Sequence, residues 1–166
     1  LIQILIIIGI IVLLWRTGKA RADEPKTTAY AGSAIIYPTS FEGKALTPTV
    51  IHSFAAFVPV ANRWSLVLKG AMATPTTAFQ PAPQAQTGVA AKLAERLSLC
   101  ATGMYRFVPH RTGTPGDSHV VGIVLGPSIP LPSKIALGFS TGVTRNLTTE
   151  VNSFFFGFEL AFQLPI

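Results

Sequence analysis

Charge is scarce in this chain. Of its 166 residues only 12% are Asp, Glu, Lys or Arg, against about 25% in an ordinary soluble domain. That leaves too little charged surface for a freely soluble globule, and disorder is excluded because disordered chains are charge-rich and poor in apolar residues. Cysteine is nearly absent, and a lone Cys100 rules out an intrachain disulfide and any Cys-built metal site. The three histidines, His52, His110 and His119, are too scattered for metal-ligand spacing. Lys and Arg outnumber Asp and Glu by 13 to 7, but they stand singly. The clustered basic face that nucleic-acid binding needs is missing. In contrast, 49% of the chain is hydrophobic, and 14 Gly with 13 Pro suit a fold with many turns.

The apolar excess has two sources. Residues 1–15, LIQILIIIGIIVLLW, carry no charge. They are short of the roughly 20 residues a spanning helix needs and match the apolar core of a secretory signal. Ala20-Arg21-Ala22 follows with small residues at cleavage-site spacing. The expectation is a signal peptide over 1–22, or a retained anchor, since Arg16, Lys19 and Arg21 favour a cytoplasmic flank. Residues 23–166 form the single folded domain. All seven acids lie in this part with ten of the 13 basic residues, so its net charge is +3 rather than +6.

The second source is a period of two. Phe154, Phe156, Phe158, Leu160, Phe162 and Leu164 alternate with Ser153, Phe155, Gly157, Glu159, Ala161 and Gln163. Ile135, Leu137, Phe139, Thr141 and Val143 alternate with Ala136, Gly138, Ser140, Gly142 and Thr144. Such alternation predicts strands with two unlike faces. A soluble sheet shows water a face rich in Lys, Glu, Arg and Thr, whereas here the second face is Gly, Ala and Ser. This fits the cramped lumen of a small closed barrel, with the large apolar row turned to lipid. Weaker copies run through Trp64–Met72, Val89–Leu93 and Leu97–Phe107. The stretch AAKLAERLSL has helical propensity, but a tight turn at 94–96 between two strands keeps the strand count even.

The prediction is an all-β, eight-stranded, antiparallel up-and-down transmembrane barrel. Its strands fall near 27–37, 47–58, 63–73, 86–93, 97–108, 118–126, 134–144 and 151–164. Connections 59–62, 94–96 and 127–133 are the shorter set and alternate with 38–46, 74–85, 109–117 and 145–150, the turn-and-loop order of outer-membrane barrels. Eight strands leave a lumen that side chains can fill, which excludes a large-pore porin.

The layout resembles that of small Gram-negative outer-membrane β-barrels. The phrases GVAAKLAERLSLCATGMYRF (88–107) and KIALGFSTGVTRNLTTEVNSFFFGFELAF (134–162) are similar to turn-and-strand phrases of transporter-like barrels grouped with meta-pathway phenol degradation. The resemblance implies an outer-membrane location and a small apolar solute as partner.

Four charged residues fall on the lumen parity: Glu159, Arg106, Lys69 and Lys92. Buried charges must be paired, so they are expected to form an interior salt-bridge network, or a small polar path for a ligand. No catalytic residues, metal ligands or cofactor are expected. His52-Ser53 and Ser118-His119 are adjacent, so each pair points to opposite faces and misses the geometry of a nucleophile with its base. Tyr30, Tyr37, Trp64, Tyr105 and Phe107 lie near strand ends and are candidates for interfacial aromatic girdles. The leading expectation is an outer-membrane barrel with a structural, adhesive or small-solute role. Its alternatives are a soluble or anchored barrel binding an apolar ligand, with the Phe154–Phe162 row inside, and a lipid-modifying enzyme.

Overall fold

The computed structural model describes residues 26–43, 45–77, 80–110, 116–131 and 134–165; the expected leader over 1–22 lies outside them. Eight strands follow one another: β1 (Thr28–Ser40), β2 (Thr49–Ala61), β3 (Trp64–Pro75), β4 (Ala82–Ala94), β5 (Leu97–Val108), β6 (Ser118–Leu131), β7 (Ile135–Asn146) and β8 (Asn152–Leu164). Each pairs antiparallel with the next, and β1 pairs with β8, so the sheet closes as an up-and-down barrel. Closure leaves no sheet edge with unpaired backbone groups. Strands of 12 to 14 residues exceed the roughly 9–11 that a tilted membrane strand requires.

The two parities separate as the alternation predicts. On β8 the even residues Phe154, Phe156, Phe158, Leu160 and Phe162 stand exposed on the outer wall, while Ser153, Phe155 and Gly157 are buried. The same wall carries Phe54, Leu68, Leu99, Ile123, Leu125, Leu137 and Phe139, all exposed. Leu164, at the end of the row, is half-buried. A soluble apolar-ligand barrel needs the reverse sidedness.

Four strand limits differ from expectation by three residues or more, each beside a proline: β1 runs on through Pro38 to Ser40 and β2 through Pro59 to Ala61, beyond 37 and 58, and the β6 end and β4 start shift further. The stretch 127–133 reads as a connection, but β6 runs on through Pro127 and Pro130 to Leu131. Proline has no N–H to give a ladder. The β6–β7 ladder passes from Leu125↔Thr141 to Ser128↔Gly138 without bridging Gly126 or Pro127. At this gap the strands crowd together, since a Cβ on Gly126 would lie 1.7 Å from the Phe139 carbonyl oxygen. Similarly β4 begins at Ala82, not near 86, with Pro83 on its exposed face. Pro59 falls at a register shift between β2 and β3.

The half of the fold near the long connections has a packed interior. Phe155, 5% exposed, sits against Ala34, Ile36, Ile51 and Ala73 from β1, β2 and β3. Room for its ring comes from Gly142, where a Cβ would stand 2.8 Å from two ring carbons. Phe155 breaks the small-residue pattern of its face because it fills the lumen there.

Candidate functional site: the lumen

Below this packed cluster the barrel encloses a cavity of about 380 Å³. Its wall includes Thr28, Pro59, Asn62, Arg63, Ser98 and Pro130, all near the short turns or the chain's first strand residue. None of the residues of the long connections contributes. The cavity is thus a cup whose mouth is at the short-turn end.

All four charged residues singled out from the sequence reach this cup, but they do not form one network. Glu159 on β8 meets Lys69 on β3 across the lumen. Lys69 Nζ donates to Oε1 and Oε2, both at 2.7 Å, and Ser53 Oγ on β2 donates to Oε1 at 2.9 Å. The side chains are only 13% and 22% exposed, so the pair is held where water screens it weakly. Gly138 faces Glu159, and a Cβ there would lie 3.3 Å from Glu159 Cβ. The inner glycine thus makes space for the carboxylate stem.

Among the described residues Arg106 on β5 meets no acid. Its Nε donates to Gln84 Oε1 on β4 at 2.8 Å, its register partner. Lys92 lies at the mouth, exposed, on the same parity as Gln84. Among the described residues Lys69–Glu159 is the one salt bridge. The expected network therefore reduces to one pair, with Arg106 and Lys92 outside it. Gln84 carries chemistry that sequence reasoning missed. It is 5% exposed, and among the described residues its Nε2 has no hydrogen-bond partner. Its only sequence signal is a polar residue on lumen parity beside Arg106 in the β4–β5 register.

Aromatic placement also departs from expectation. Tyr30 turns into the cup and packs edge-on against Phe57, with ring centroids 5.6 Å apart. It belongs to no outer girdle, because even positions of β1 face inward. Tyr37 is on the outer wall, stacked on Phe156 at 5.3 Å. Trp64 and Tyr105 are exposed.

Adjacency in sequence hides two hydroxyl–imidazole pairs between strands. Ser33 Oγ lies 2.8 Å from His52 Nδ1, and Tyr105 Oη lies 2.8 Å from His119 Nδ1. Ser33 and His52 are register partners on β1 and β2. Both pairs are on the outside of the barrel, where each hydroxyl and ring satisfies the other and lowers the cost of a polar group on an apolar wall. Among the described residues each ring's hydrogen-bonding partner is a hydroxyl rather than a carboxylate. The described residues also hold no group of three His, Cys, Asp or Glu placed for a metal.

No family model and no curated protein sequence matches this chain. Solved structures share its fold. Ail, the attachment invasion locus protein of Yersinia pestis, aligns over 83% of this chain and 97% of its own, with a TM-score of 0.57 and 9% identity. A de novo designed transmembrane β-barrel aligns over 86% of this chain and 100% of its own, with a TM-score of 0.52 and 12% identity. At such identities the likeness is one of fold: this chain is built like small transmembrane barrels.

Proposed function

We propose that this chain is an outer-membrane β-barrel that presents its long connections at one surface, in a structural and adhesive role, and is not a conduit. One observation carries the reading. The large apolar side chains of a closed barrel stand exposed around its outer wall, with Phe158 at 50% and Phe162 at 52%. In water this wall would be an aggregation surface, whereas in lipid it is the solvated face. Ail, named for attachment and invasion, has the same fold, which supports the adhesive part. The likeness to phenol-degradation transporters rests on sequence phrases alone, and the packed Phe155 cluster argues against through-transport.

The membrane part is tested by detergent extraction and gel mobility. Unheated protein from the membrane fraction is expected to migrate apart from boiled protein. A soluble product with no mobility shift would overturn the reading. For the adhesive part, cells displaying the barrel should bind a surface that cells displaying a version shortened at 41–48 and 109–117 do not. Equal binding would remove adhesion and leave the barrel.

A further inference from the structure

The lumen is short of negative charge. Arg63, Lys69, Lys92 and Arg106 line the cup, and Glu159 is the carboxylate that lines it with them. Lys69 and Ser53 already engage Glu159. A guanidinium has five N–H donors. Among the described residues Arg106 spends the one on Nε, on Gln84, and its terminal nitrogens belong to a side chain that lines the cup. Gln84 uses its oxygen in that bond and keeps a buried Nε2 donor unmatched. A flip of the amide would not help, since it would turn the NH2 group toward a cation. One buried amide donor thus sits without an acceptor beside a guanidinium on the adjacent strand. Natural interiors rarely leave buried donors so.

We propose that Arg106 and Gln84 form the head-group site for an amphipathic carboxylate that enters the cup from the short-turn end. A carboxylate offers two coplanar oxygens, which suit the fork of a guanidinium, and has acceptor capacity left for Gln84 Nε2. Apolar wall surrounds the space beyond the head group: Tyr30, Phe57, Val67, Met104 and Ala136 all line it. Lys92 and Arg63 at the mouth attract an anion and repel a cation. An apolar chamber with a few convergent polar groups, about 380 Å³ in volume, is the usual form of a small-molecule site. The inference concerns the cup alone and does not depend on the membrane or adhesive reading.

The test is calorimetric titration of the refolded barrel in non-ionic detergent with 3-phenylpropanoate, and in parallel with the neutral 3-phenylpropanamide. The acid is expected to bind and the amide to bind at least about tenfold more weakly, since it lacks the charge that Arg106 meets. Arg106→Gln should weaken the acid by a similar factor. Gln84→Glu supplies a carboxylate in place of the ligand's, so it should abolish binding while keeping the heat-modifiable fold. Arg145→Gln, a cation exposed away from the cup, should bind as the parent does. Equal affinity for acid and amide would overturn the proposal, as would unchanged binding in Gln84→Glu. Absence of any binding up to millimolar acid would also overturn it.

Discussion

Glu159 shows how one residue acquires its meaning from three strands. Its carboxylate accepts from Lys69 and Ser53, and both charges sit largely out of water. Removing one member of such a pair leaves a charge without its partner, which costs about 3–5 kcal/mol in a fully buried site. Lys69→Met and Glu159→Leu are each expected to destabilise the barrel, by roughly 3 kcal/mol. The double variant should recover most of the loss, because it removes both desolvation costs. Urea unfolding of the three variants in detergent measures this. If the double variant loses the sum of the singles, the two side chains do not act as a pair.

At the scale of the element, β8 is the strand the sequence shows most plainly. Its outer residues are nearly all large and its inner ones mostly small, so parity survives without any knowledge of the neighbours. β7 is legible for the same reason. β6 is not, because Pro127 and Pro130 look like a connection until the local gap in the β6–β7 ladder is seen. The lumen pairing was equally hidden. Parity puts Lys69, Arg106 and Glu159 inside, but which of them meet depends on strand tilt and register around the whole barrel. Ser33 and His52 are a further instance, since 19 residues separate them in the chain and one hydrogen bond joins them in the sheet. The outer row of β8 makes a prediction with a gradient in it. Phe158 lies at the strand's centre and Phe154 near its end. In lipid, Phe158→Arg should cost about 2–4 kcal/mol and Phe154→Arg about 0–1 kcal/mol, because the penalty peaks at the bilayer midplane. Folding into liposomes, followed by urea titration, reads the difference. Equal costs at both positions would mean that the wall meets no bilayer.

For the whole molecule, the two halves of the lumen have opposite characters. Toward the long connections the interior is packed by Phe155 with Ile36, Ile51, Ala34 and Ala73, and toward the short turns it is an open cup. Such a barrel is a vessel with a stopper, and the stopper rests on a single large ring projecting into glycine-made space. The wild-type chain reconstituted in liposomes should therefore pass small sugars no faster than empty liposomes do. Phe155→Ala with Ile51→Ala removes the largest ring and one of its neighbours. The lost ring and side chain vacate the packed end of the lumen, so the loss should join the cup to the far end and let small sugars in, read as swelling of the liposomes in an osmotic assay. The substitutions also cost stability, at about 3–5 kcal/mol for the Phe and 2–5 for the Ile, so the variant's heat-modifiable band must be present before its leak is read. A folded variant that stays as tight as the parent would show that other side chains close the lumen. A parent that leaks as fast as the variant would show that the Phe155 cluster is no barrier at all.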